Sequence, residues 1–151
     1  MPGLRLLEKW AVLMGGGENH RFSLADGILI KENHVKIAGS IHQAVSRFSR
    51  DKNKLILEVR DLSELQQALQ VGVKRILLDN FSISVLKKAV KQVAGQAVLE
   101  ASGGVTLKNV RAIAKTGVDY ISIGRLTHSA PALDISFLLV THVTERILPL
   151  E

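Results

Sequence analysis

Charged side chains recur in this sequence at points where an apolar run begins or ends. The segment from Gly15 to His34 gathers positive charge, because His20 and Arg21 follow three glycines and Lys31 directly follows a short apolar run. Cations gather where an anion compensates them, and Arg suits a planar carboxylate while Lys presents a compact charge. The segment therefore predicts a pocket for a small anion. A solvated position for Lys31 and a structural role for His20 are the alternatives.

Two carboxylates occupy similar places on later apolar runs. Glu58 and Asp79 each lie at the end of a run predicted to be a strand, where an unpaired charge is costly. Together they would hold Mg²⁺ through water or accept hydrogen bonds from ribose hydroxyls. Salt bridges to Lys31 and Arg21 are the structural alternative. Glu100, in the next run, is interpreted as a residue that supports the site.

A serine and two glycines follow the fourth apolar run. In Ser102, Gly103 and Gly104 the backbone N–H groups are not shielded by large side chains, and a helix opening here would attract phosphate. By itself, this motif occurs as often in a tight turn as in a phosphate-binding site. Ser122 and Gly124 end the next run, and the last strands of (β/α) barrels commonly share a phosphate site. The two segments together indicate a phosphorylated substrate.

The apolar runs begin near residues 28, 55, 75, 97 and 120 and alternate with segments of helical periodicity. Short, nearly continuous apolar runs are typical of parallel strands buried on both faces. Helices are also predicted over about 2–13 and about 134–147. This alternation predicts an α/β fold, either an open doubly wound sheet or a partial (β/α) barrel of parallel strands. The regular spacing and the charged strand ends favour the barrel, although five strands do not close one.

Several predicted helices begin with a residue suited to capping. Asp61, with Glu64 three residues later, resembles a capping box. The other predicted N-caps are Ser40, Ser82 or Ser84, and Thr106.

The composition excludes several classes of protein. The 151 residues correspond to a single domain, 1–151, and the absence of cysteine excludes disulfides, thiolate metal sites and a cysteine nucleophile. No apolar run approaches the length of a membrane span, and Glu8 and Lys9 interrupt the only stretch that resembles a signal peptide. We therefore expect a cytoplasmic protein that does not bind membranes.

The net charge of +6 is compatible with nucleic acid, an acidic small substrate or an acidic protein partner. The basic residues are scattered through predicted helices and no aromatic residues alternate with them, which disfavours nucleic acid. A solvated helical surface accounts for most of the charge.

Six stretches of the chain resemble the C-terminal, barrel-forming part of quinolinate phosphoribosyltransferase, a family also called nicotinate-nucleotide pyrophosphorylase (carboxylating). The stretches are PGLRLLEKWAVLMGGGENHR, DGILIKENH, LEV before DLSEL, ILLDNF, LEASGGV and VDYISIGRLTHSAPALDIS. They extend from Pro2 to about Ser136 in the order and spacing of the family.

The resemblance implies that quinolinate and phosphoribosyl pyrophosphate react, with Mg²⁺, to nicotinate mononucleotide, pyrophosphate and CO₂ in de novo NAD synthesis. The residues implied to bind quinolinate are His20, Arg21, Lys31 and His128. Those implied to take part in catalysis are Lys31, Glu58 and Asp79, of which Glu58 and Asp79 would face the ribose and the Mg²⁺-pyrophosphate. The 5′-phosphate would be held by Ser102, Gly103, Gly104, Ser122 and Gly124. The family also implies a homodimer or a larger homo-oligomer.

The resemblance further implies an N-terminal α/β sandwich domain and a first barrel strand with a Thr-Arg-Lys-Thr motif, whereas here Met1 directly precedes Pro2. We therefore expect a truncated gene model, an internal start or a fragment, with very low or no activity alone. Two alternatives are a molybdenum-transport-associated homologue with another substrate, and a non-catalytic remnant that binds phosphate or pairs with full-length subunits.

Overall fold

The computed structural model describes residues 3–48, 54–127 and 134–139. Five strands form one sheet in which each strand pairs in parallel with the next one along the chain. They are β1 (Ile28–Ile30), β2 (Leu55–Val59), β3 (Arg75–Asp79), β4 (Val98–Ser102) and β5 (Tyr120–Ile121).

Six α-helices connect or precede these strands within the described residues. They are α1 (Arg5–Met14), α2 (Glu32–Ala38), α3 (Ile41–Ser46), α4 (Leu62–Gln70), α5 (Ile83–Val93) and α6 (Val110–Ala114). Short 3₁₀ turns cover Leu24–Asp26 and Gly124–Leu126. None of the helices in these ranges has both the length and the apolar character needed to cross a membrane.

The two faces of the sheet have different chemistry because side chains alternate along each strand. One face packs against α3 to α6 and supplies one continuous core, in which Leu57, Ile76 and Leu78 are completely buried. The opposite face carries Glu58, Asp79, Glu100 and Ser102, together with the apolar residues Ile56 and Leu77. Ile56 and Leu77 are buried but do not belong to that core.

The sequential strand order and the single layer of core-forming helices identify the barrel alternative. A doubly wound sheet changes direction in its strand order and places helices on both faces. Here the order is β1-β2-β3-β4-β5, and α1 contributes no buried residue to the helical layer. The predicted α/β fold with a partial (β/α) barrel is therefore confirmed.

The segment after β1 differs from its prediction. The strand ends at Ile30, and residues 32–38 form α2, for which no helix was predicted. Lys31 takes the extended N-cap conformation, and the Nδ1 atom of His34 accepts a hydrogen bond from its backbone N–H at 3.0 Å. The helix was not predicted because the periodicity of apolar residues does not reveal that a histidine side chain caps the helix to which it belongs.

The segment after β4 also differs. Thr106 is not the N-cap of α6, because that helix begins only at Val110, and the Oδ1 atom of Asn109 accepts the Thr106 N–H at 2.7 Å. Gly103 and Gly104 therefore lie in a loop and do not open a helix. The predicted helix over 134–147 is wrong for 134–139, which are not helical, and its remainder lies outside the described residues.

Candidate active site

The parallel register brings the predicted site residues of β2, β3 and β4 to the same end of one face. Glu58 is aligned with Leu77, which is aligned with Glu100, and Asp79 is aligned with Ser102. The carboxyl ends of all parallel strands meet at one edge of a sheet, and in (β/α) barrels that edge is the functional one.

A cleft of about 460 Å³ lies at the carboxyl ends of β4 and β5. It is lined by all five residues predicted to bind phosphate, which are Ser102, Gly103, Gly104, Ser122 and Gly124. Arg125 lines the same cleft and adds a positive charge that the sequence interpretation did not use. Separate loops thus converge on one small space, as the motif spacing predicted.

Gly103 packs directly against the loop that follows β3. Its φ is +93°, and a Cβ atom there would lie 2.2 Å from the Oδ1 atom of Asn80 and 3.0 Å from its backbone nitrogen. Asn80 itself has a φ of +56°, donates its N–H to the Ser102 carbonyl at 2.9 Å, and donates its side-chain amide to Asp79 at 3.0 Å. This asparagine therefore joins the loop that lines the small cleft to Asp79.

A larger cleft of about 1420 Å³ adjoins the small one, and the two share Ser102, Ser122 and Gly124. One of its walls is α1, and its lining also includes His20 and Leu77. His20 therefore faces the same space as these three predicted phosphate residues.

His20 is held in one protonation state by its neighbours. Its Nδ1 atom accepts the Arg21 backbone N–H at 2.8 Å, so that the ring proton belongs on Nε2, which lies 3.4 Å from the Oε1 atom of Glu100. Burial of the imidazole lowers the pKa of His20 below its usual value, and three nearby cations act in the same direction against the opposing pull of Glu100. The lowered pKa and the acceptor role of Nδ1 both favour a neutral His20 with its proton on Nε2, facing Glu100.

Arg21 uses part of its guanidinium to hold its own loop. Its Nη1 atom donates to the Gly27 carbonyl at 2.9 Å, whereas its Nε atom is buried and has no hydrogen-bond partner among the described residues. The ammonium of Lys9, on α1, donates to the carbonyls of His20 and Arg21 at 2.6 and 3.0 Å. The loop is fastened to α1 in this way.

The remaining predicted residues lie beside the clefts. The Nζ atom of Lys31 lies 3.6 Å from Glu58, which fits the structural alternative of a salt bridge, while Asp79 pairs with Asn80. The described linings of the two clefts do not include Arg21, Lys31, Glu58 or Asp79. His128 lies outside the described residues.

The described side chains do not form a complete metal site. They contain no group of three or more His, Cys, Asp or Glu that could hold a metal ion. Mg²⁺ characteristically binds one or two carboxylates, with water and substrate phosphates completing its coordination. Glu58 and Asp79, at the same end of the same face, fit that manner of binding.

Sequence reasoning overlooked the residues that hold the site together. Lys9 carried no signal, because a lysine on a surface helix is ordinary. Arg75 and Asn80 flank recognised strand residues, but their partners lie on other strands or loops. Glu100, in contrast, interrupts an apolar run in the same way as Glu58 and was interpreted from the sequence as a supporting residue.

The fold and the cleft define a (β/α)-barrel-type domain with its candidate site at the carboxyl ends of the strands. A sequence model of the family described as quinolinate phosphoribosyl transferase, C-terminal domain, matches residues 1–138. The chain belongs to this family.

Curated relatives and solved structures agree with the family. The chain is 43% identical over 167 aligned residues to quinolinate phosphoribosyltransferase [decarboxylating] 2a, mitochondrial, of Nicotiana tabacum, covering 97% of this chain and 48% of the relative. The chain thus spans about half the length of the curated relatives it matches.

Among solved structures, the nicotinate-nucleotide pyrophosphorylase of Ehrlichia chaffeensis is 51% identical with a TM-score of 0.80, over 85% of this chain and 48% of that one. The corresponding protein of Francisella tularensis is 46% identical with a TM-score of 0.80, over 84% and 46%. Both are similar to this chain in sequence and in fold.

Proposed function

We propose that this chain forms the phosphoribosyl-transfer barrel of an enzyme that converts quinolinate and phosphoribosyl pyrophosphate to nicotinate mononucleotide, pyrophosphate and CO₂. The observation that carries the proposal is the small cleft, in which five predicted phosphate residues and Arg125 converge. Its dimensions and donors suit the 5′-phosphate of a ribosyl group, and the adjoining larger cleft leaves room for the rest of both substrates.

The proposed chemistry needs charge stabilisation and no nucleophilic side chain. As the bond between the ribose carbon and pyrophosphate breaks, positive charge develops on the ribose carbon. The carboxylates of Glu58 and Asp79 stabilise that charge or accept hydrogen bonds from the neighbouring ribose hydroxyls. Glu58 and Asp79 would hold Mg²⁺ through water, and the ion would supply positive charge that offsets the charge of the pyrophosphate. The quinolinate nitrogen forms the new bond, and loss of CO₂ leaves an electron pair on the ring that takes up a proton.

The substrate carboxylates need donors of hydrogen bonds and positive charge. Lys31 supplies an ammonium that is half exposed and balanced by Glu58. Arg21 has a buried Nε–H without a partner among the described residues, and His20 presents a neutral ring. These groups support the assignment of the dicarboxylate side of the site to this loop.

The assembly is proposed to be a homodimer or a larger homo-oligomer. Four apolar side chains of α1, those of Leu6, Leu7, Trp10 and Met14, are 60% or more exposed, and a partner would remove them from water. The cytoplasmic location stays a prediction, because the relatives' names place the Nicotiana tabacum protein in mitochondria and an Oryza sativa relative in chloroplasts.

A charge placed in the small cleft tests the phosphate assignment. Gly104 has a φ of +58° and no atom near the position of a Cβ, so that Gly104→Asp adds a carboxylate without a clash. We expect titration with phosphoribosyl pyrophosphate and Mg²⁺, followed by calorimetry, to show binding that weakens about tenfold or more in this variant.

Two further variants separate charge from backbone effects. Gly104→Asn is expected to bind far better than Gly104→Asp. Gly95→Asp, at a glycine of similar backbone conformation outside both clefts, is expected to bind like the unaltered chain. Equal binding by Gly104→Asp and Gly95→Asp would refute the proposed site.

A further inference from the structure

Glu100 is the one fully buried charged side chain among the described residues, with 1% of its surface exposed. It lies in the middle of β4 on the cleft face, where an unpaired carboxylate would be strongly unfavourable. The proposed phosphoribosyl transfer gives it no direct part in the chemistry. Its contacts show why a charge is kept there.

The two oxygens of Glu100 have separate tasks. Oε2 accepts two hydrogen bonds from Arg75, at 3.2 Å from Nε and 3.0 Å from Nη2. The guanidinium of Arg75 also lies over the Tyr120 ring at 5.1 Å from its centroid, which fixes its plane. The guanidinium of Arg75, at the start of β3, therefore offsets the negative charge of the carboxylate through Oε2.

Oε1 contacts two residues that line the larger cleft. Ser122, after β5, donates its hydroxyl hydrogen to Oε1, and the Nε2 atom of His20 lies 3.4 Å from the same oxygen. His20 belongs to the loop assigned to the dicarboxylate, and Ser122 to the cleft assigned to the phosphate. One carboxylate oxygen therefore joins the two halves of the site.

The hydrogen positions follow from this geometry. His20 must carry its proton on Nε2, because its Nδ1 atom accepts the Arg21 backbone N–H. Ser122 directs its hydroxyl hydrogen at Glu100, which leaves its oxygen lone pairs, and not its proton, toward the cleft. The groups that can donate hydrogen bonds to a phosphate in the small cleft are then the loop N–H groups, the Ser102 hydroxyl and Arg125.

We infer that Glu100 is a positioning residue that fixes the orientation of the His20 ring through its Nε2 side and the hydroxyl direction of Ser122, and so couples the dicarboxylate and phosphate halves of the site. The inference deepens the proposed function and rests on it for the names of the two halves. The hydrogen-bond arrangement itself does not depend on which ligands bind.

Glu100→Gln removes the acceptor without changing the size of the side chain. If the amide oxygen stays on Arg75, the NH₂ group faces the Ser122 hydroxyl and the His20 Nε2–H, so that Ser122 loses its acceptor and His20 loses its contact with a carboxylate. ¹⁵N NMR of the imidazole is the first readout. We expect the unaltered chain to show the Nε2–H form, Ser122→Ala to shift the His20 ring signals, and Glu100→Gln to change them strongly and abolish the effect of Ser122→Ala.

Binding is the second readout, with inorganic phosphate and quinolinate as separate probes. We expect Glu100→Gln to weaken both by about tenfold, the loss typical of a hydrogen bond that involves a charged group. The matched control is Glu64→Gln, because Glu64 also pairs with an arginine, Arg60, through Nε and Nη2 but lies at the surface outside both clefts. It should leave both affinities and the His20 signals unchanged.

The outcomes separate the two proposals. Unchanged His20 signals in Glu100→Gln, or signals changed no more than in Glu64→Gln, would overturn the positioning role. If Glu100→Gln fails to fold, Ser122→Ala by itself tests the positioning role. Unchanged ¹⁵N signals of the His20 ring in Ser122→Ala would show that Oε1 does not link His20 and Ser122. Failure of the unaltered chain to bind either probe, with the His20 response intact, would refute the proposed function and leave the positioning role standing.

Discussion

At the residue scale, the site depends on side chains and on one position where a side chain does not fit. Gly103 has a backbone conformation that side chains rarely adopt, and Asn80 fills the space beside it. Asn80 also reaches Asp79, so that a change at Gly103 propagates to a predicted catalytic residue. The neighbouring Gly104 has a positive φ but open space around it, which makes it a matched comparison.

We predict that Gly103→Ala destabilises the fold by about 1–3 kcal/mol more than Gly104→Ala does, because it adds a clash to the backbone strain. Urea denaturation of both variants measures the difference. Gly103→Ala is also expected to weaken binding of inorganic phosphate. Equal stability of the two variants would show that the loop accommodates a Cβ at either position.

At the element scale, local capping signals located some helices well and others poorly. Asp61 accepts the Glu64 backbone N–H at 2.8 Å and begins α4 as predicted, although the Glu64 side chain accepts the N–H of Arg60 rather than that of Asp61. Ser82, not Ser84, caps α5. By contrast, Thr106 is followed by a loop that Asn109 organises, with its side chain bonded to Gly104 and Thr106.

We predict that Asp61→Ala lowers the free energy of unfolding by about 0.5–2 kcal/mol, because it leaves a helix N–H unsatisfied. Asp61→Ser should retain most of the stability, since a hydroxyl oxygen replaces the carboxylate as acceptor. Ser63→Ala, on the exposed first turn of α4, should change stability by less than about 0.5 kcal/mol. A loss in Ser63→Ala as large as in Asp61→Ala would argue against the cap.

At the scale of the whole molecule, apolar residues are divided between a well-packed layer and an exposed helix. Leu86 of α5 is 2% exposed and belongs to the core, whereas Trp10 of α1 is 60% exposed. The sheet likewise has two edges within the described chain, β1 and β5. A single copy of the chain therefore leaves considerable apolar surface in contact with water.

We predict that Leu86→Ala costs about 2–5 kcal/mol of stability, as expected for a cavity in a packed core. In a dilute solution of the chain, Trp10→Ala should cost less than about 0.5 kcal/mol of stability, because little of the Trp10 side chain is buried. Light scattering and denaturation over a range of concentrations measure both effects. A large, concentration-dependent loss in Trp10→Ala would show that α1 is covered by another copy in solution.

Sequence alone was sufficient for the fold class, the five strands and the gathering of the residues that are predicted to bind phosphate. Strand identity depends on runs of apolar residues, which Leu55–Val59 and Arg75–Asp79 contain locally. In a parallel sheet, residues that end successive strands must meet at one edge, so that Ser102 and Ser122 could be placed together from spacing.

Only the tertiary structure decided how the charged residues of the site are paired. His20, Arg21 and Lys31 look alike as cations in the sequence, yet His20 is neutral, Arg21 holds the Gly27 carbonyl, and Lys31 pairs with Glu58. The position of Glu100 in an apolar run marked it as a supporting residue, but its partners could not be identified from the sequence. Its partners come from three other parts of the chain, and hydrogen bonds between distant segments depend on register and distances that no local pattern contains.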